Sequence, residues 1–206
     1  MMKRNNFPFS AVLGLNHAKT AILIVLVNPR AGGLLISGHQ GIGKSTLMRS
    51  TQELIERPWR DIPVSVTEDR LFGTIDTEKA IYSGQKKLYP GIINEADQGV
   101  LYLDDANLLR EDLLDSILNI AEVGAYQLER DGLSLRCDTS FTVIAAINPE
   151  SGMLSGACLD QFGLFVNVDN IHDENTRVEI LKRTISFEKD CASFCNLWKL
   201  ENEKIK

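Results

Sequence analysis

The segment Gly38–Ser45, G-H-Q-G-I-G-K-S, constrains the fold more than any other stretch of this 206-residue chain. Gly38, Gly43, Lys44 and Ser45 fit the pattern G-x-x-x-x-G-K-[ST]. Glycines let the backbone curl until successive N–H groups point inward, which makes a nest for phosphate oxygens. A helix begun by Lys44 and Ser45 turns its positive end to the same anion. Lys44 adds a mobile point charge for the β- and γ-phosphates, and Ser45 adds a hydroxyl ligand for Mg²⁺. The expected nucleotide contacts are therefore Gly38, His39, Gln40, Gly41, Ile42, Gly43, Lys44, Ser45 and Thr46. The expected cofactors are ATP and Mg²⁺.

The flanks supply the frame that this loop requires. Leu34, Leu35 and Ile36 form an apolar run like a buried parallel strand. Beyond the loop, Leu47/Met48 and Leu54/Ile55 recur about two turns apart on a helix that Pro58 stops. Upstream, 14–27 reads as a helix. Ile62, Val64 and Val66 alternate with polar residues as a second strand would. Residues 67–99 show no sustained periodicity apart from a helix-like stretch at 77–82; a long irregular segment of this kind is usually functional.

Val100–Leu103 is a third strand, and 108–120 carries apolar residues at helical steps. In 126–136 the pair Asp131-Gly132 marks a hairpin, since both turn positions favour positive φ. Phe141–Ile147 and 165–168 are further strands, and 174–183 is helical. Strands alternating with helices predict an α/β, three-layer P-loop core with a mainly parallel sheet and an inserted β-hairpin.

Two strand ends complete the candidate site. Asp104, closing V-L-Y-L-D-D, is placed to hold Mg²⁺, and Asp105 to polarise an attacking water. Asn148, at the end of the Phe141–Ile147 strand, is placed to reach the γ-phosphate and orient that water. Each has a plainer alternative: the acids as N-terminal charges of the next helix, the asparagine as a turn former before Pro149.

The rest of the composition narrows the class. A net charge of −6 with no long basic run gives no electrostatic reason to expect nucleic-acid binding. The longest apolar run, Ala21–Val27, is too short for a membrane span, so a soluble, cytoplasmic protein is expected. Cys137, Cys158, Cys191 and Cys195 form no paired ligand sets and read as reduced thiols. His17, His39 and His172 form no ligand set either. Arg110, Arg130 and Arg136 read as surface charges, Trp59 and Trp198 as packing anchors. Arg70 is a candidate for engaging a partner.

Taken in order, these segments resemble the AAA+ ATPases, and more narrowly the ATPase subunit (subunit I) of magnesium chelatase. The resemblance runs from about Phe7 to the C-terminus. It is carried by P-R-A-G-G-L-L-I-S-G at 29–38, V-T-E-D-R-L-F-G-T-I-D at 66–76 and Y-P-G-I-I-N-E-A at 89–96. G-V-L-Y-L-D-D-A-N-L-L at 99–109, L-E-R-D-G-L-S-L-R at 128–136, A-A-I-N-P-E at 145–150 and L-D-Q-F-G-L at 159–164 continue it. The resemblance implies ATP and Mg²⁺ at Lys44, Ser45 and Asp104, with Asn148 as the sensor-1 residue. It also implies a hairpin facing the centre of a hexameric ring, ATP between neighbouring subunits, and a partner AAA+ subunit bearing an integrin-like domain. In the family, hydrolysis serves Mg²⁺ insertion into protoporphyrin IX.

Three departures separate this chain from that pattern. The second acidic residue of the family is Glu, one methylene longer than Asp105; a misplacement of about 1 Å can cost about 100-fold in rate. The family's D-R-F-G is here Asp160-Gln161-Phe162-Gly163, without the arginine that acts on the neighbour's γ-phosphate. Losing such a finger costs about 10³–10⁵ where one is used. The family also continues into a helical lid; the expected division here is a core at 1–186 and, at 187–206, the start of a linker helix toward an absent lid. The readings are thus a chelatase-like motor, a weakly hydrolysing nucleotide-binding scaffold, or a motor for an integrin-domain partner outside porphyrin metabolism.

Overall fold

The computed structural model describes residues 6–75, 88–130 and 133–206. Five parallel strands make the central sheet: β1 (Leu34–Ser37), β2 (Trp59–Ile62), β5 (Val100–Leu103), β8 (Thr142–Ile147) and β9 (Leu164–Asn167), in the order β2-β5-β8-β1-β9. In β1, β5 and β8 every residue is buried, as a strand covered on both faces must be. Successive side chains divide between two cores. Leu34, Ile36, Val100, Tyr102, Ile144 and Ala146 pack toward α1 (Asn16–Val27) and α2 (Lys44–Thr51). Leu35, Leu101, Leu103, Val143, Ala145 and Ile147 pack on the opposite face. That face is covered by α3 (Glu68–Phe72), α4 (Ile92–Glu95) and α5 (Glu111–Val123). The expected three-layer α/β core is present.

Two antiparallel pairs project from it. β3 (Gly73–Ile75) pairs with β4 (Leu88–Pro90), and β6 (Ala125–Arg130) with β7 (Leu133–Asp138), Ala125 opposite Asp138 and Arg130 opposite Leu133. The second pair is the expected hairpin; its turn at 131–132 and the helix-like stretch 77–82 lie outside the described residues. The segment 67–99 is less irregular than its composition suggests. Its helices of five and four residues are too short to print a period, and its strands are only three residues long.

The second strand lies earlier than the Ile62/Val64/Val66 alternation indicates. Trp59 to Ile62 run beside Val100 to Leu103, and Pro63, which has no N–H to donate, ends the pairing. Val64 is exposed, while Val66 joins the core beneath α3. The helix expected from Leu108 begins at Glu111, after a short 3₁₀ turn at Ala106–Leu108.

Three further helices flank β9 in sequence. The short α6 (Gly156–Asp160) precedes β9, and α7 (Glu174–Lys189) and α8 (Cys191–Ile205) follow it. The side chains of Asp173 and Asp190 cap the last two helices, accepting from the backbone N–H of Thr176 and Ser193. Phe7, Phe187, Phe194 and Trp198 form an aromatic cluster that ties α8 to the N-terminal segment. Among the described residues, no helix is long and apolar enough to cross a membrane.

Candidate functional site

The phosphate loop leaves β1 at Gly38, whose N–H donates to Ile147 O at 3.2 Å, so the loop is tied to the end of β8. A Cβ on Gly38 would stand 2.6 Å from Val168 Cγ2 and 2.7 Å from its carbonyl oxygen; no side chain fits. Gly41 and Gly43 sit at φ +86° and +93°, the left-handed region that glycine enters without strain. A Cβ on Gly41 would meet nothing within 4 Å, so the loop opens onto free space there.

Lys44 is buried, and its ammonium donates to the carbonyls of Gly38 and of His39, the latter at 2.8 Å. Burial pushes its pKa below the ordinary lysine value, opposed by the nearby carboxylates of Asp105 and Asp104. Ser45, the next residue of α2, donates from Oγ to Asp104 Oδ2 at 3.1 Å across 59 residues of sequence. The loop and the end of β5 are thereby brought together.

Asp105 follows in the left-handed conformation, φ 51° and ψ 49°, a strained geometry for a residue with a Cβ. It starts the turn Ala106–Leu108. Asn148 ends β8 and caps its own turn: Oδ1 accepts from Glu150 N at 3.2 Å, and Nδ2 lies 3.5 Å from Ser151 Oγ. His39 Nδ1 lies 3.3 Å from Glu150 Oε1, bridging the phosphate loop and this turn. Gln161, closing α6, is exposed, and its amide donates to Ala157 O at 3.4 Å.

Some residues escaped the sequence reading. Asn107 Nδ2 donates both to Asn148 O at 3.1 Å and to Gly152 O at 3.0 Å. One side chain thus braces the loop after β5 against the turn after β8. Leu15, at φ 53° just before α1, lies 3.8 Å from where a Cβ on Gly43 would stand, which brings the N-terminal segment to the loop. Tyr102, read only as part of an apolar strand, places its hydroxyl beside Asp104 and Ser45. Neither Asn in a turn nor Tyr in a strand carries a local signal of these roles.

The remaining candidates are accounted for locally. Arg70 pairs with Glu95 at 3.3 Å, Arg110 with Asp112 and Glu68, and Arg136 with Asp138 at 3.0 Å. The side chain of Arg130 lies outside the described residues. Cys158 Sγ donates to Asp115 Oδ1 at 2.8 Å, and burial raises its pKa. Among the described residues no group of three or more His, Cys, Asp or Glu could hold a metal ion. One hydroxyl and one carboxylate are a donor set suited to Mg²⁺ carried mainly by phosphates and water.

Comparison with known proteins agrees with this geometry. Residues 33–161 match the AAA domain of the dynein-related subfamily. The chain is 34% identical to the magnesium-chelatase 38 kDa subunit of Cereibacter sphaeroides, over 97% of this chain and 70% of that one. It is 32% identical to the magnesium-chelatase subunit ChlI of Cyanophora paradoxa, over 100% and 72%. A ChlI homolog from Methanocaldococcus jannaschii is likewise 32% identical, over 100% and 67%. Among solved structures, a chain from the complex of magnesium chelatase subunits BchI and BchD, built on a cryo-EM reconstruction, aligns with a TM-score of 0.76. It is 34% identical, over 98% of this chain and 73% of that one.

Proposed function

Since the chain belongs to the AAA+ ATPases, in the family of the magnesium-chelatase ATPase subunit, we propose that it binds ATP with Mg²⁺ at 38–46 and uses turnover to remodel a partner. The observation that carries this reading is the bond from Ser45 to Asp104, which joins the phosphate loop to an acidic strand end. Bound with the nucleotide, Mg²⁺ supplies charge neutralisation at the β- and γ-phosphates, and Ser45 and Asp104 are the residues that would hold it.

The chain's own groups divide the remaining work. Lys44 exchanges the carbonyls of Gly38 and His39 for phosphate oxygens. Such an exchange suits an ammonium held by neutral acceptors, since a charged acceptor makes the stronger hydrogen bond. The N-terminus of α2 faces the same anion. Asp105 polarises the attacking water and Asn148 orients it. Because Asn107 fixes Asn148 O, a shift after β5 is transmitted to the turn after β8.

The partner side follows from the relatives. One solved relative is named as part of a BchI–BchD complex, which supports an oligomer working with a second subunit. We assign this chain to a hexameric ring with ATP between subunits, acting on an AAA+ partner with an integrin-like domain. Mg²⁺ insertion into protoporphyrin IX is the family's process and the first to test. The core is 1–186, with 187–206 leading toward a lid position, and the expected compartment is the cytoplasm.

A second reading has its own observations. Gln161 is exposed at the end of α6 and carries no charge to a neighbour's phosphate, and Asp105 is one methylene shorter than the family's glutamate. These support a subunit that binds nucleotide and hydrolyses it slowly. Steady-state phosphate release, with Lys44→Ala as control, separates the two. The motor reading expects turnover well above the variant. Tight ATP binding with turnover no higher than Lys44→Ala assigns the chain to the scaffold class, and no ATP binding removes both.

A further inference from the structure

The two antiparallel pairs that project from the core leave it at different places in the sequence, yet their bases meet. The phenol oxygen of Tyr126, near the start of β6, lies 2.7 Å from Phe72 O and 2.7 Å from Asn94 Oδ1. Phe72 ends α3, immediately before β3, and Asn94 lies in α4, shortly after β4. One side chain of the second pair therefore touches both roots of the first. A phenol has a single proton, which serves either of these acceptors. Burial, followed by the Cys137 thiol directly across the hairpin, raises the pKa of the phenol and keeps that proton in place. The rings of Phe72 and Tyr126 add a contact at 5.9 Å between centroids.

The other strand of the hairpin is tied to the same neighbour. Just beyond β7, Ser140 N donates to Asp97 Oδ1 at 2.8 Å, and Gln98 N donates to Ser140 O at 2.6 Å. The hydroxyl of the buried Thr139 approaches the same Asp97 oxygen at 3.4 Å. Asp97 and Gln98 follow α4 and lead into β5. At the root of the first pair the backbones are pressed together: a Cβ on Gly91 would stand 2.3 Å from Gly73 N. Each hydrogen bond in this seam is modest alone, but the pairs part only when bonds on both strands of the hairpin fail together. The seam lies where β5 and β8 begin, and Asp104 and Asn148 follow the far ends of those two strands.

We propose that the two projecting pairs form one rigid arm, joined at their bases by Tyr126 and Asp97, so that a partner engaging either pair moves both. The first pair needs such support. Its strands are three residues long, and a two-stranded pair is marginal by itself even at greater length. The joint belongs to the fold and stands whether or not the chain turns over ATP. What it adds to the motor reading is a single lever, seated on the two strands that lead to Asp104 and Asn148, in place of two independent fingers.

The test measures the distance between the two pairs directly. Nitroxide labels are attached through ketone side chains introduced at Tyr89 of β4 and Arg136 of β7, both exposed, which leaves the native cysteines untouched. Double electron–electron resonance then reads the distribution of distances. With the joint intact, a single narrow peak is expected. Tyr126→Phe removes the phenol and keeps the ring, and Asp97→Ala cuts the seam at an exposed residue from the other side. Each should broaden or split the peak, and the double variant should broaden it most, while circular dichroism shows the core still folded. A broad distribution before any joint residue is changed means that the pairs swing independently and overturns the proposal. A peak that stays narrow in the double variant places the joint elsewhere and overturns it as well. Should Tyr126→Phe fail to fold, Asp97→Ala alone decides between the same two outcomes.

Discussion

The helices α5 and α7 both carry apolar residues at three- and four-residue steps, α5 more densely, and meet opposite fates. In α5, Leu113, Leu114, Ile117, Leu118 and Ile120 are buried under the sheet. In α7, no residue of sixteen is buried, and Val178, Leu181 and Ile185 share an exposed face. α7 is held by a few directed contacts instead. Arg183 donates to Ala11 O at 3.0 Å and to Glu179 at 2.9 Å, and its guanidinium lies 4.5 Å from the Trp198 ring centroid. The difference separates two tasks. The centre of the molecule fixes the phosphate loop, Asp104 and Asn148 relative to one another. The periphery, from α6 to α8, leaves more of its surface exposed, α7 most of all.

The largest expected effect tests that division at Gln161. If the centre is competent and the periphery lacks only a charge, Gln161→Arg should raise phosphate release about 10³-fold, the lower end of what an arginine finger supplies. The rise should appear only where chains associate, so the rate is read against size-exclusion chromatography with ATP and Mg²⁺. An assembled variant with an unchanged rate breaks the comparison and moves the limitation to the centre, to Asp105.

The next effect compares the two helices directly. Ile117 is fully buried, and Ile117→Ala should cost about 2–5 kcal/mol of unfolding free energy. Leu181 is 61% exposed, and Leu181→Ala should stay within about 0.5 kcal/mol. Urea denaturation of the two variants measures both. A large loss at Leu181 would show that the α7 face is covered in solution, since no packing among the described residues accounts for it.

The same contrast explains what the sequence could reveal. The phosphate loop was readable because its chemistry is local: glycines at positive φ and a lysine lie within eight residues. Asp104 was readable because a strand and its acidic end are contiguous. The second strand was misplaced because alternation at Ile62, Val64 and Val66 is a local pattern, whereas the strand is fixed by distant pairing of Trp59–Ile62 with β5. The segment 67–99 hid its elements because three- to five-residue pieces gain their stability from neighbours. Asn107 was invisible for a stricter reason. Its bracing lies in which carbonyls it reaches, and no spacing in the sequence encodes that.

The smallest expected effect tests how firmly the periphery is seated. Cys195, on α8 beside Phe194, donates weakly to Asn6 O at 3.6 Å. Burial, then the Cys191 thiol and Glu53, raise its pKa from 9.0 to about 11. The fold therefore favours the neutral thiol. Its contribution is complete below pH 9 and is lost as pH rises through about 11. At pH 8 the thiolate is scarcer than in the unfolded chain, partly offset by the greater nucleophilicity of a more basic thiolate. Alkylation of Cys195 by iodoacetamide, followed by peptide mass spectrometry, should thus be about tenfold slower in the folded protein than in urea. Equal rates would mean that α8 leaves Phe7 and Asn6 freely, so that even the aromatic cluster fails to fix the periphery. A slow rate that rises when Arg183→Ala removes the tie to Ala11 would locate the seat of α7 and α8 at that one guanidinium.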